Sequence, residues 1–374
     1  MPAYNSSGVP ILNLILVLGL AMITAVWAYY EALLASKIAL GLSSGVYASL
    51  LGFIGITIAY ISKLPLLRLM YRFEVRKNSL IIASILLLLA LTPKYLAEGH
   101  YSLTISYLIL SASYGLASAS IFMFIINDLS YEDWRKALAI LPMASAVIAS
   151  LTLVSWAQLK ADIAPPVIII GSLLLAYGYI TSVRPLIPSL TLKSLEILSD
   201  ILAFRGAITA YKNWHIEVTK IALILGGLGA LKILILSKAI IEYSIYSIVS
   251  YNIGVAIGTI IAYKESKPRI TQILAITTIA ILLLTNNTLI ALALIGVTIA
   301  YGQISTIDYI LENRPRAVYT AIAIITTTIG IGAVITGIAS LANTEKATII
   351  TLAITIATIT TSIIIDKKQK RKWE

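Results

Sequence analysis

Long apolar runs follow one another along the whole chain, and the basic residues crowd into every second gap between them. Twelve runs can be drawn, at about 10–33, 41–61, 79–91, 103–126, 137–156, 163–182, 216–236, 240–263, 270–284, 289–307, 318–341 and 347–365. About 20 helical residues cross the hydrocarbon of a bilayer. In lipid every peptide group must find its partner inside the protein, so runs of this length become helices packed side by side. Composition excludes a soluble fold. With 59% apolar residues, 12% charged and a mean hydropathy of +0.93, the 374 residues hold too little polar side chain to clothe a soluble body. The expectation is an all-α polytopic membrane protein with about twelve transmembrane helices. The third and ninth runs are short for a crossing and should extend into their flanks.

Charge fixes the expected orientation. Of the 28 Lys and Arg residues, 21 lie in gaps after even-numbered runs or in the C-terminal tail, and five (Lys37, Lys94, Lys160, Lys238 and Lys346) lie in gaps after odd-numbered ones. Basic residues are retained on the cytoplasmic side, so this pattern predicts a multi-pass protein of the cell membrane with both termini cytoplasmic. Adding or removing one run would scramble the alternation. The net charge of +11 sits in short loops beside apolar helices, where anionic lipid headgroups, not nucleic acid, are the natural counterions. There is no cysteine, hence no disulfide framework, thiolate metal site or thiol redox chemistry. Met1 to Val9 carry no basic side chain and no cleavage signal, so the first run is expected to remain as a span.

The long gap at 183–215 carries Leu190, Leu192, Leu195, Leu198, Ile201 and Leu202 at roughly helical spacing beside Lys193, Glu196, Asp200 and Arg205. That pattern suits an amphipathic helix on the inner membrane surface. It divides the chain into a six-helix bundle at 1–182, a cytoplasmic linker at 183–215, a second six-helix bundle at 216–366 and a basic tail at 367–374. The halves repeat. Asp128, Glu132, Lys136 and Ala137 after the fourth run recur as Asp308, Glu312, Arg316 and Ala317 after the tenth, each displaced by 180 residues. Tyr71, Arg72, Glu74 and Arg76 after the second run correspond to Tyr263, Lys264, Glu265 and Lys267 after the eighth, with one residue deleted. Parallel six-helix repeats related about the membrane normal are a transporter plan, which makes two pseudo-symmetric bundles the expected architecture.

On these features the chain resembles the major facilitator superfamily of secondary transporters. The stretch from Gly41, GLSSGVYASLLGF, looks like the start of that family's second helix, and LRLMYRFEVRK looks like the loop signature that follows it. Leu69, Arg72, Phe73, Arg76 and Lys77 fit the signature, while Leu67, Tyr71 and Glu74 stand where it has Gly, an acid and Gly. The resemblance implies a cytoplasmic gate of loop charges that pair across the halves in one state and part in the other. Arg72, Arg76, Asp128, Glu132, Arg135, Lys136, Lys264, Asp308, Glu312, Arg314 and Arg316 are its candidates. Equally, these charges could be solvated loop residues that only set the topology.

Polar groups at membrane depth are costly and mark candidate sites. Lys232 lies twelve residues beyond Lys220 in the seventh run, so it is either a cavity cation or a side chain that snorkels outward. Tyr243, Tyr251 and Asn252 of the eighth run, Gln303 of the tenth and Tyr114 of the fourth are further candidates for substrate contact, with Ser111, Ser118, Ser247 and Ser250 as weaker ones. Glu31, after Trp27, Tyr29 and Tyr30, and Glu242, opening the eighth run, are candidates for proton coupling or else interfacial charges beside an aromatic belt. Glycines 226, 227, 229, 330, 332 and 337 should permit close helix approach, and Pro142 should kink or loosen the fifth helix.

The function these features predict is secondary active transport of a small solute by alternating access, with the site between the halves and a preference for an organic anion drawn from Lys232. The alternatives are an exporter of drugs or hydrophobic solutes with the same fold, and, in another class, a membrane-embedded lipid-handling protein or enzyme. The residues for catalysis are not evident: His100 and His215 fall on opposite sides of the predicted topology, and acids do not cluster. The expected partners are a small-molecule substrate, the bilayer with anionic headgroups on its cytoplasmic side, and H+ or Na+. No cofactor or metal is implied, and a monomer is expected.

Overall fold

The computed structural model describes residues 14–27, 30, 76–93, 100–128, 131–159, 164–181, 216–243, 245–285, 287–313, 318–342 and 344–370. The described segments are helical. They are α1 (Leu14–Trp27), α2 (Arg76–Leu89), α3 (His100–Asp128), α4 (Tyr131–Leu159), α5 (Ala164–Thr181), α6 (Ile216–Tyr243), α7 (Tyr246–Lys264), α8 (Pro268–Thr285), α9 (Thr288–Asn313), α10 (Val318–Ala342) and α11 (Thr344–Lys370). They correspond in order to the first run and to the third through twelfth. The second run, the linker at 183–215, Glu31, Arg72, Arg314 and Arg316 lie outside the described residues. Among the described residues, seven helices are long and apolar enough to cross a membrane.

Several helices outrun the apolar stretches that predict them, because a helix is ended by lost hydrogen bonding and not by the first charge. Helices α3 and α4 reach 29 residues each, out to Asp128 at one end and back to Tyr131 at the other. Helix α9 continues through Asp308 and Glu312 to Asn313, so these two acids stand on the last turns of a helix and not in a loop. Helix α11 likewise carries the first residues of the basic tail, to Lys370. The boundary expected between the seventh and eighth runs moves. Helix α6 runs on through Ser237, Lys238 and Ala239 to Tyr243, and α7 begins at Tyr246. Glu242 and Tyr243 therefore close α6 instead of opening the eighth span.

In the first half α2 packs against α3 and α5, and in the second α6 packs against α9, α10 and α11 while α7 and α8 pack against α9. Small and hydroxylated residues make these contacts close, as expected where lipid gives apolar side chains no reason to prefer protein. Ser84 and Ser172 join α2 to α5 with their hydroxyls 2.7 Å apart. Thr355 donates to the Gly227 carbonyl at 2.9 Å, tying α11 to α6, and Thr336 donates to the Ala230 carbonyl at 3.2 Å, tying α10 to α6. The tightest crossing is α7 on α9. A Cβ on Gly254 would run into the Ala293 carbonyl, one on Gly258 into the Val297 carbonyl and one on Gly296 into the Tyr251 carbonyl. Glycine lets the two backbones touch there, and the close approach sets where α7 and α9 hold their polar side chains.

The outer surface is apolar. Helices α5, α8 and α11 turn Leu173, Ile180, Ile273, Leu284 and Ile349 outward, each more than 60% exposed. Side chains of this kind on transmembrane helices face hydrocarbon, and the polar interior lies behind them.

Candidate functional site

A cavity of about 180 Å³ lies between the halves, walled by α1, α3 and α4 from the first and by α6, α7 and α9 from the second. Helices α2, α5, α8 and α11 do not contribute to its described lining. At roughly 10–15 Å³ of such volume per water, it has room for on the order of ten waters or one small solute.

The first-half wall is aromatic. Trp27 near the end of α1 is 5% exposed, and its indole Nε1–H donates to Ser111 Oγ at 3.0 Å. Ser111 in turn donates to the Tyr107 carbonyl of its own helix at 2.8 Å. The indole stacks on Tyr114, with centroids 5.2 Å apart and planes within 5°, and on Tyr107, at 6.1 Å and 7°. Seven residues separate the two tyrosines, two turns along one face of α3, so a single indole can meet both. Stacked pairs of this kind add about 0.5–1.5 kcal/mol each beyond their buried area, which makes the wall rigid. Trp27 and Tyr114 both line the cavity. Trp27 thus lies inside the protein and not in the interfacial belt its sequence neighbours suggested.

Lys232 of α6, Tyr251 and Asn252 of α7 and Gln303 of α9 line the cavity from the second half. The Lys232 ammonium lies 4.4 Å from the centroid of the Tyr251 ring. A cation over an aromatic face is stabilised by about 0.5–2 kcal/mol, more as water is excluded, which helps hold the charge at membrane depth. Asn252 is 6% exposed and its Nδ2 approaches Ser150 Oγ of α4 at 3.4 Å, a polar link between the halves. Ser150 is fourteen residues past Lys136 and Asn252 twelve before Lys264, so the link stands about 20 Å along each helix from the basic end of the molecule. Helix α4 supplies much of the wall, including Pro142. The proline removes one backbone hydrogen bond from the middle of the helix, a point of softness facing the cavity.

Five of the six substrate-contact candidates, Lys232, Asn252, Gln303, Tyr251 and Tyr114, therefore meet around one space. Tyr243 does not, since the longer α6 carries it to the helix end, where it is 42% exposed. Glu242 beside it is also exposed, away from the described lining. The serines serve packing: Ser118 donates to Gly115 of its own helix and Ser250 to the Leu289 carbonyl of α9.

The gate candidates divide by burial. Asp308 is 4% exposed on α9 and Lys220 is 1% exposed on α6, at the same end of two helices that pack together. Lys136, Lys264 and Glu312 are exposed. Arg76, Asp128, Glu132 and Arg135 lie on the ends of α2, α3 and α4. The second copy of the loop signature, between α7 and α8, makes a local contact: Lys267 Nζ meets Glu265 Oε1 at 2.6 Å on the surface. The hydrogen bond and charge of Glu265 raise the Lys267 pKa. The turn itself is held by Tyr301 of α9. Its hydroxyl accepts from the Lys267 backbone N–H at 2.9 Å and donates to the Glu265 carbonyl at 2.9 Å. Tyr301 was not legible as a site residue, because its partners are backbone atoms of another helix pair.

No protein-family model and no curated protein matches the sequence. Solved structures do. The chain is similar to the human organic anion transporter MFSD10 (TM-score 0.66, 13% identity, over 96% of this chain and 100% of that one). It is also similar to the major facilitator superfamily proton:xylose symporter XylE of E. coli (TM-score 0.61, 13% identity, over 95% of each chain). A third likeness is to the nucleoside transporter NupG (TM-score 0.59, 13% identity, over 95% of this chain and 99% of that one). The chain is a multi-pass helical membrane protein with the fold of the major facilitator superfamily.

Proposed function

We propose that the protein is a secondary active transporter that moves a small solute across the cell membrane by rocking two bundles, 1–182 and 216–366, about the central cavity, with both termini cytoplasmic. The observation that carries this reading is the cavity itself: a space at membrane depth that both halves line, mostly apolar, with Lys232, Asn252 and Gln303 among its walls. In a static structural protein such a space has no reason to persist, since filling it with apolar side chains would stabilise the bundle.

Lys232, Asn252, Gln303, Tyr251 and Tyr114 form the substrate site in this reading, and the cation gives it a preference for organic anions. The transport activities named for the similar structures agree with a transporter. The link between Asn252 and Ser150 supports a joint in the half of the membrane away from the basic loops. Burial of Asp308 and Lys220 supports a gate at the opposite end, where Asp128, Glu132, Arg135 and Arg316 are further members and Arg72, Arg76, Lys136, Lys264 and Glu312 hold the headgroup side. A coupling ion, H+ or Na+, would act through Glu31, which follows α1 in the sequence, or through Glu242 near the far end of α6. The protein works as a monomer without a cofactor.

The test uses the absence of native cysteine. Spin labels on a cysteine pair at Lys136 and Glu312 report one end, and a pair at Gln158 and Lys238 reports the other. All four side chains are exposed, with one member of each pair on each half. In lipid, both pairs are expected to show two distance populations that shift in opposite directions when conditions change. A single unchanging distance at both ends would overturn alternating access.

A further inference from the structure

We infer that the cavity selects a small aromatic carboxylate, a single ring bearing one anionic group, over sugars, nucleosides and organic cations; the inference rests on the transporter reading above. The argument starts from what the wall offers to hydrogen bonding. The hydroxyls of Thr24 and Ser145 donate to the carbonyls of Leu20 and Leu141 on their own helices, each at 2.8 Å. The Trp27 indole donates to Ser111, and the Asn252 amide is turned to Ser150. Much of the polar lining is therefore committed within the protein. A polyhydroxylated solute must exchange its water hydrogen bonds for protein ones, and each group left unpaired in a closed cavity costs it heavily. This wall serves such a solute poorly.

It serves an aromatic acid well. In the described lining the one charged side chain is a cation, Lys232, and the carboxamides of Asn252 and Gln303 lie on the same side of the cavity. A carboxylate entering an apolar space needs a cationic partner there, whereas an organic cation would be repelled. Lys232 rests against the Tyr251 ring at 4.4 Å, so the bound anion takes over stabilisation that the ring supplies to the ammonium. The first half brings the fixed Trp27–Tyr114 stack to the same cavity, and Leu20, Leu141 and Ile304 also line it. A substrate ring packs on such a wall by offset stacking or edge to face, a gain that a saturated ring of the same size does not share. The volume of about 180 Å³ accommodates a body of one ring.

The experiment is a thermal-shift titration of the purified full chain in lipid nanodiscs with benzoate, cyclohexanecarboxylate, benzamide, benzylamine, xylose and uridine. Benzoate is expected to raise the melting temperature, cyclohexanecarboxylate to do so only at several-fold higher concentration, and the other four to give no shift. In K232M the apparent benzoate affinity should fall at least tenfold while the melting temperature without ligand is kept. In W27L benzoate should lose its advantage over cyclohexanecarboxylate. Should K232M fail to fold, the wild-type panel and W27L decide. A shift with xylose, uridine or benzylamine and none with benzoate overturns the aromatic-acid class, as does a benzoate response unchanged in K232M. The spin-label distances separate the two readings. Alternation without benzoate binding removes this inference and keeps the transporter, and benzoate binding without alternation removes the transporter and keeps the site.

Discussion

Helices α6 and α8 are both largely apolar in the sequence, yet 78% of the membrane-length window of α6 is buried in the protein and 22% of that of α8. Helix α8 shows lipid one face, with Ile273, Leu283 and Leu284 well exposed, and turns Thr271, Gln272 and Thr278 inward. Thr278 meets Thr298 at 3.2 Å, Thr271 meets Ser305 at 3.5 Å and Gln272 donates to Ser362 at 3.1 Å. Helix α6 is enclosed by α9, α10 and α11 and comes close to them at glycine: Gly226 lies against Thr328 and Gly227 against Thr355. Where α6 meets no neighbour it meets the cavity, and there it carries Lys232. The two helices show that apolar composition specifies membrane insertion and leaves the facing partner, lipid or protein or cavity, undetermined. Polar residues on the lipid-facing helix serve as glue, and on the enclosed helix Lys232 lines the cavity.

Putting a lysine on the wrong helix should break this contrast most sharply. Ile276, outward on α8 and 48% exposed, replaced by Lys, is expected to cost about 2.5–3.5 kcal/mol in membrane insertion, read as a lower inserted fraction in a glycosylation-mapped insertion assay. Native Lys232 escapes that cost because a cavity and a ring receive it. Unimpaired insertion of the α8 variant would mean that its outer face is not lipid-facing. Smaller is the effect expected of Gly254→Val at the α7–α9 crossing. The new side chain meets the Ala293 backbone, which has little room to give, and overpacking costs about 1–3 kcal/mol, seen as a lower melting temperature in nanodiscs. An unchanged melting temperature would show that α7 and α9 are not as close as the structure has them. Smallest is Asn252→Ala, which removes the link to Ser150. Polar contacts inside membranes average about 0.6 kcal/mol, so the ratio of the two spin-label populations should move about threefold toward the state open at that end, with the fold intact. A ratio that does not move would leave Asn252 to the substrate alone.

The span order and the placement of polar residues were legible because they depend on local rules. Each described helix matches a single apolar run to within a few residues at one end or both, and the overrun at the far end of α6 follows from a weak signal. Ser237, Lys238 and Ala239 look like an interruption, but a lysine near a membrane surface can snorkel without breaking the helix that carries it. The same oversight moved Glu242 and Tyr243 from one helix to its neighbour. Lys232, Tyr251, Asn252, Gln303 and Tyr114 could be picked out singly, since a polar group at depth needs a reason. Trp27 and Tyr301 could not, because an aromatic residue near a helix end reads equally as lipid anchor or as interior post.

By itself the sequence determined that this chain enters a membrane as many helices, with basic residues gathered in alternate gaps between its apolar runs. Those outcomes follow from transfer free energies and charge retention, which act on each segment separately. Tertiary structure alone decided which faces of these similar helices look at one another. Glycine contacts at Gly254, Gly258 and Gly296 brought α7 against α9, and a tryptophan and a lysine more than two hundred residues apart came to line one cavity. The physical reason is that hydrocarbon does not sort one apolar face from another. In lipid that choice falls to backbone fit, stacked rings and a few polar links, and these exist only once the helices have met.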